Sequence, residues 1–439
     1  MKTKDIFDLS IKYLFRYRRR FLFLFSALAF GFCIVTVIVS LKDGMSDAAY
    51  NSAQGHYAGD IVFNGRHKGY GVSRHLTQDS IEIIKDEINQ KIENKEIDLQ
   101  RVVYRTSYSS FNIFFNGESL ELKYFIGVDW KNEEPYFKDL NFADHELDIE
   151  NLNENSIIIS KPTALQLGAK VGDSVLVEID NRYDQKNTIE LIVGGIVIDN
   201  SIFGYYKAFT DRKTLNKLIG NEENDCSSIG LYLSNKNKIE PYRQVFQKDL
   251  ENKIRLSPLF FTRDEWSNAN YDTGLTVEIL TIKVFISEIS QILQAINLLA
   301  LFLYVMMLLI ILVSASVTYR LILNERTKEI ATMRAIGAES GALRCMLVVE
   351  ALLLASASLL VGFFLALLVN WGMSFLSFDW MPGFEIFLKN GKLTAVYKIA
   401  ALLKNIAAVY IVVFIAVYFP VLRASNARLP LMLSGNVKE

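Results

Sequence analysis

The sequence has little of what usually carries metal, redox or hydrolytic chemistry. Its three cysteines, Cys33, Cys226 and Cys345, lie far apart with no paired spacing, which excludes a disulfide framework and the familiar zinc patterns. Its four histidines, His56, His67, His75 and His145, form no HExxH or similar set and read as polar surface residues, so no metal site is expected. Charge of one sign is missing too. The 47 basic and 48 acidic residues balance, whereas a nucleic-acid partner calls for a clear basic excess. No GxSxG elbow, paired-carboxylate motif or Cys/His pair stands out, so a binding or force-transmitting role is expected rather than a catalytic one. No GxxxxGK[ST] occurs, and phosphates have no cradle of the usual kind here.

What the sequence does have is uncharged apolar sequence, gathered into four runs. Residues 21–41 carry no charge and as a helix would reach about 31 Å, one hydrocarbon thickness. The run is too long for a signal-peptide core and has no small-residue cleavage site close behind it, so it reads as an uncleaved membrane helix. The other runs are 289–319, 346–371 (broken only by Glu350) and 405–422. Arg16, Arg18, Arg19 and Arg20 precede the first run, while Lys42, Asp43 and Asp47 follow it. Residues 320–345 add Arg326, Lys328 and Arg334, and the C-terminus adds Arg423 and Arg428. The bias of basic residues places these three segments in the cytoplasm.

The organisation that follows has a cytoplasmic amphipathic helix at 1–20, a cytoplasmic loop at 320–345 and a cytoplasmic tail at 423–439. An extracytoplasmic domain occupies 42–288 and an outer loop 372–404. The expected fold is an α-helical membrane protein with four transmembrane helices, plus an α+β extracytoplasmic domain inserted between the first and second spans, in the cytoplasmic (inner) membrane. Trp371, Phe375, Phe378, Trp380, Phe384 and Phe387 in and beside the outer loop suit an interfacial aromatic belt, or else simply pack that loop on the bundle.

Within 42–288, strand-like runs fall at 60–63, 101–104, 112–115, 121–128, 156–160, 174–179, 188–197 and 228–233. Helical stretches fall at 78–91, 161–167, 211–219 and 239–253, and Gly168 is placed as a left-handed cap. Residues 132–155 are acidic and patternless, a loop or internal boundary. Thr262 to Glu265 fits a capping box. From there Leu275, Ile279, Ile282, Ile286, Ile289, Leu293, Ile296, Ala300 and Leu303 recur in alternating steps of four and three, the period of a coiled-coil seam. The spacing predicts a helical stalk continuous with the second span, with a helix lying on its own domain as the plainer alternative. On the third span, Ala351, Ala355, Ser358, Gly362 and Ala366 make a face of small residues that permits close helix contact. Glu350, about 9 Å along that helix from Arg344, is expected to be ion-paired for structure rather than to relay protons.

Residues 324–338 (NERTKEIATMRAIGA) are charged, helical and cytoplasmic. Ile330, Met333 and Ile336 could enter a partner's groove while the charges set register. This segment resembles the cytoplasmic loop of the MacB/LolC/FtsX permease family, whose pattern is roughly ER-x-EI-x-x-x-R-x-x-GA. Glu325, Arg326, Glu329, Ile330, Arg334, Gly337 and Ala338 match it, and Glu350–Ala351 matches the Glu-Ala pair often found in the following helix. The first span with its preceding Ile6, Leu9, Tyr13 and Tyr17, the run ISKPTALQLGAKVGDSVLV, and the closing Pro420, Arg423, Ala424 and Pro430 are also similar. The third span departs from the family in having Ala355, Ser356 and Ser358 where glycine is more usual. Leu433–Ser434–Gly435 lacks the rest of an ABC signature and is set aside.

The resemblance implies a permease of an ABC transporter whose ATPase is another chain, with ATP and Mg on that partner and none here. It implies coupling through Glu325, Arg326, Glu329, Ile330, Met333, Arg334 and Gly337 to an ATPase dimer, a second permease copy or paralogue, and contact with membrane lipid. The layout is similar to that of lipoprotein-releasing LolC/LolE permeases, which implies mechanotransmission to a lipoprotein, lipid-like or peptide cargo. An FtsX-like regulator of an extracytoplasmic hydrolase is the alternative, and a receptor without ATPase coupling a third.

Overall fold

The computed structural model describes residues 10, 12, 14, 18–69, 71–73, 75–143, 149–198, 207–271, 273–378, 385–389 and 391–426. The expectations placed on Ile6, Leu9, Tyr13, Arg16, Tyr17, His145, Trp380, Phe384, Arg428, Pro430 and the terminal Leu433–Ser434–Gly435 lie outside these residues, as do the side chains of Arg18, Arg19 and Arg20.

In chain order the elements are helix α1 (Arg18–His56), strands β1 (Ile61–Gly69) and β2 (Gly71–Ser73), and helix α2 (Gln78–Glu93). There follow β3 (Leu99–Phe115), β4 (Glu118–Val128), α3 (Trp130–Lys138), β5 (Ser156–Ser160) and α4 (Lys161–Leu167). Then come β6 (Ser174–Asp180), β7 (Lys186–Val197), β8 (Lys207–Asp211), α5 (Arg212–Ile219), β9 (Ser228–Leu233) and α6 (Ile239–Leu250). The chain closes with α7 (Arg263–Ser267), β10 (Gly274–Thr281), α8 (Ile282–Phe285), α9 (Ser287–Glu325), α10 (Thr327–Ala335), α11 (Ser340–Met373) and α12 (Ile399–Asn426). Two compact units result: the helical one (1–45, 294–377, 393–439) and a β-rich one (46–293, 378–392).

Among the described residues four helices, α1, α9, α11 and α12, are long and apolar enough to cross a membrane. Each overruns its apolar run. At 39 residues, α1 and α9 are each about 58 Å long, nearly twice the hydrocarbon thickness. In the helical unit, Phe21, Leu24, Leu28 and Phe32 of α1 pack with Ala315, Tyr319 and Ile322 of α9, Leu347 and Ala355 of α11, and Val413 and Val417 of α12. Ala351, Ala355, Ser358, Gly362 and Ala366 are all buried. Gly362 is there because nothing larger fits: a Cβ at that position would sit 2.5 Å from the carbonyl oxygen of Ala29 on α1. Asn370 donates to Ser40 Oγ at 2.9 Å and also to Tyr397, and Ser356 and Tyr410 hydroxyls lie 2.8 Å apart. Such side-chain bonds between helices give polar groups partners where water is scarce.

In the β-rich unit the strands run β10-β1-β9-β3-β4-β8-β5-β7-β6, with β2 on β1 and a further β3–β6 pairing. That last pairing closes β3, β4, β8, β5, β7 and β6 into a ring. The β4–β8 and β5–β7 neighbours are parallel and the rest of the ring antiparallel. Phe111, Ile113, Phe125, Ile157, Val177 and Val193 fill its core. The long β3 belongs to two structures, pairing β9 through 99–105 and β4 through 106–115. Helices α2 and α6 add a second core, in which Phe63 meets Phe246 edge-on at 5.1 Å.

Several sequence expectations change. The runs at 101–104 and 112–115 are one strand, β3. The patternless 132–155 contains most of α3 and a short 3-10 turn at Ile149–Asn151, and its 144–148 lie outside the described residues. Strands β2, β8 and β10 had no counterpart in the reading. The helical stalk is corrected: Leu275 and Ile279 lie on strand β10, Ile282 starts the one-turn α8, Ile286 caps it, and only from Ile289 on, through Leu293, Ile296, Ala300 and Leu303, does the seam lie on α9. Ile279, Ile282 and Ile286 are buried within the β-rich unit, so they do not form a seam on one continuous helix. Helix α1 runs on without a break well past its apolar run, through Lys42 to His56.

Candidate functional site

Helix α9 stops at Glu325 because Arg326 leaves helical geometry, with φ −93° and ψ 5°. Thr327 closes the turn, its hydroxyl donating to the carbonyls of Leu323 and Asn324 at 3.1 and 2.8 Å. Helix α10 then runs for nine residues to Ala335. Gly337, at φ 100°, takes the left-handed conformation that a side chain resists, and Glu339 leads into α11. The sequence motif is thus a short helix held between two sharp turns.

Arg326 explains why the motif needs its arginine. The side chain is buried, and Nη1 donates to both carboxylate oxygens of Glu350 on α11 at 2.9 Å. Glu329, one turn on, places Oε2 3.4 Å from Arg326 Nε. Tyr319 on α9 donates its hydroxyl to the Leu347 carbonyl of α11 at 2.5 Å. Glu350 is therefore ion-paired, but with Arg326 across the hairpin and not with Arg344 on its own helix. A buried pair with two bonds to one guanidinium nitrogen fixes the α9–α10 corner against α11 and leaves no buried charge alone.

The seven motif residues separate by exposure. Ile330 is fully buried in the helical core and Met333 half-buried against it. Ile330 was expected to fill a partner's groove; instead it packs inside its own chain, because burial of Arg326 turns the preceding face of α10 inward. Arg326 is likewise taken up internally. Glu325 and Gly337 are exposed, and Glu329 and Arg334 partly so. The apolar residue presented outward is Ile336, 82% exposed at the end of α10. Its signal in the sequence was its place just before the left-handed glycine, outside the turn that buries Ile330. Among the described residues no cluster of His, Cys, Asp and Glu could hold a metal ion.

Residues 301–429 match the family described as FtsX-like permease C-terminal. No curated protein matches the sequence. Among solved structures, the chain is similar to the periplasmic region of MacB from Actinobacillus actinomycetemcomitans at 13% identity, over 54% of this chain and 94% of that one, with a TM-score of 0.32. It is also similar to a domain of a proposed permease protein from Porphyromonas gingivalis at 12% identity, over 45% of this chain and 88% of that one, with a TM-score of 0.27. The hairpin that holds Arg326 against Glu350 lies within the stretch 301–429 that is similar to the FtsX-like permease C-terminal family.

Proposed function

We propose that this chain is the permease subunit of an ABC transporter, driven by an ATPase dimer on separate chains that carry the ATP and Mg. The observation that supports it is the Arg326–Glu350 clamp beneath an outward-facing α10. A push on α10 is delivered to α9 and α11 together, because the clamp leaves the short helix no separate freedom. Ile336 supplies the apolar contact and Glu325, Glu329 and Arg334 the polar border. With the basic flanks inside, 320–345 faces the cytoplasm, and the β-rich unit lies outside it, in a periplasm where there is one. Lipid and a second permease copy or paralogue cover the apolar faces of the membrane helices. The work is mechanical, with motion of α1 and α9 moving the β-rich unit to act on a lipoprotein, lipid-like or peptide cargo.

The test is retention of an ATP-photolabelled partner chain on permease purified from its native membrane. Ile336→Asp should cut retention by roughly thirtyfold or more, the usual effect of losing a buried interface residue of about 2 kcal/mol, without changing the melting of the permease. Ile330→Asp should instead lower the melting temperature itself. Full retention in the Ile336 variant would defeat coupling through this surface.

A further inference from the structure

The last two turns of α1 are seated in the β-rich unit by charge and by shape. A helix end leaves carbonyls without partners inside the helix. Here Arg105 of β3, itself buried, reaches them: its Nη1 donates to the carbonyls of Gly55 and His56 at 2.6 and 3.1 Å. The same guanidinium donates from Nε and Nη2 to the two carboxylate oxygens of Glu133 on α3, which is fully buried. A cation at a helix C-terminus meets the negative end of the helix dipole, and Glu133 answers its charge. Gly55 has no room for a side chain, because a Cβ there would lie 2.3 Å from the Tyr136 ring of α3.

Asp60, fully buried just past the helix, adds a second fastening. Its carboxylate accepts from the Tyr50 hydroxyl of α1 and from the Leu233 N–H of β9, the latter at 2.8 Å. Lys236, just after β9, donates to Asn51 at 3.0 Å and lies 4.1 Å from the centre of the Tyr50 ring. The turn that leaves α1 is closely packed too: a Cβ on Gly230 of β9 would lie 1.7 Å from the Ala58 carbonyl oxygen. The stretch from Tyr50 to Asp60 is thus held by β3, β9 and α3 together, and it cannot swing without breaking the buried bonds of Arg105.

Helix α9 leaves the unit differently. Tyr57 stacks on Phe285 of α8 at 4.1 Å, and the Ile282 N–H donates to the Asp60 carbonyl at 3.0 Å, so α8 belongs to the same joint. Ile286 then departs from helical geometry, with φ −99° and ψ 15°, and α9 begins. Past it, the Arg263 N–H donates to Ser287 Oγ at 2.8 Å. The Arg263 side chain lies 3.7 Å from Glu288, an exposed pair of little strength. Among the described residues, the side chains of 289–293 make no hydrogen bond or ion pair outside their own helix. Few fastenings beside one residue off helical geometry make a hinge. We propose that the β-rich unit moves as one rigid body with the end of α1 and pivots on α9 at Ile286, with Arg105 as the positioning residue of the joint. The inference deepens the mechanical reading above, and its test needs no ATPase, so the two can fail separately.

The experiment is double electron–electron resonance on the full chain in nanodiscs, in a Cys345→Ser background that leaves only the buried Cys33 and Cys226. One spin-label pair joins Lys85→Cys on α2 to Ala48→Cys on α1, and the other joins Lys85→Cys to Gln291→Cys on α9. The first distance distribution is expected to be narrow and the second roughly twice as wide or more. Arg105→Met with Glu133→Leu removes the joint's ion pair without leaving a buried charge, and should widen the first distribution towards the second. Two results would overturn the assignment: a first distribution as wide as the second with the native joint, or one left unchanged in a double variant that still melts cooperatively. Should the double variant not fold, the two widths with the native joint decide the matter.

Discussion

Arg326 and Glu350 are the costliest residues in the helical unit to separate. Both are buried, so truncating one leaves a bare charge on the other, while replacing both removes the problem. Glu350→Ala should lower the stability of the detergent-solubilised permease by about 3–5 kcal/mol, and Arg326→Met with Glu350→Leu should recover most of that loss in thermal melting. Equal melting of Glu350→Ala and wild type would mean that the pair carries no structural load. The sequence showed that a carboxylate inside an apolar run needs a partner. It did not show which one, since spacing along one helix is legible while the turns at Arg326 and Gly337 that fold α10 back are not.

Among elements, the stalk shows how a periodicity misleads. Leu275 and Ile279 are four apart, so they share a face of a helix and equally a face of a strand. The residues between and after them decide the matter: Thr276, Val277, Thr281 and Ile282 are β-branched and favour a pleated surface, and Gly274 opens the strand at φ 106°. Capping signals were more reliable. Thr262 and Glu265 form the full capping box, and Gly168 sits at φ 71° closing α4. The small-residue face on α11 has a definite partner in α1 at Gly362. Gly362→Ala should therefore cost about 1–3 kcal/mol, as overpacking does, and lower the melting temperature. Gly372→Ala, where a Cβ would meet nothing within 4 Å, should leave it unchanged. A Gly362→Ala permease as stable as wild type would show that the two helices do not approach so closely in the membrane.

For the whole molecule, the four apolar runs and the strand content of the unit between the first two were readable from composition and alternation. The closed ring of strands was not, because β3–β6, β4–β8 and β5–β7 join segments distant in sequence and leave no local trace. The sidedness rests on the basic flanks and is open to direct test. In a Cys345→Ser background, a membrane-impermeant thiol reagent should label Asn141→Cys in whole cells, and should label Lys328→Cys only after permeabilisation. The reverse pattern would overturn the orientation and the proposed transport role together.

The ladder between β1 and β10, from Ile61 opposite Thr281 to Lys68 opposite Gly274, joins the first strand of the β-rich unit to the last. β1 follows α1 closely, and β10 comes just before α9. During synthesis, β1 therefore waits with one edge bare until the chain has been made as far as β10, when the next segment to emerge is the second membrane helix. Completion of the sheet and arrival of that helix become a single late step in biogenesis, and a nascent chain halted before Gly274 leaves a template to which a stray strand can add.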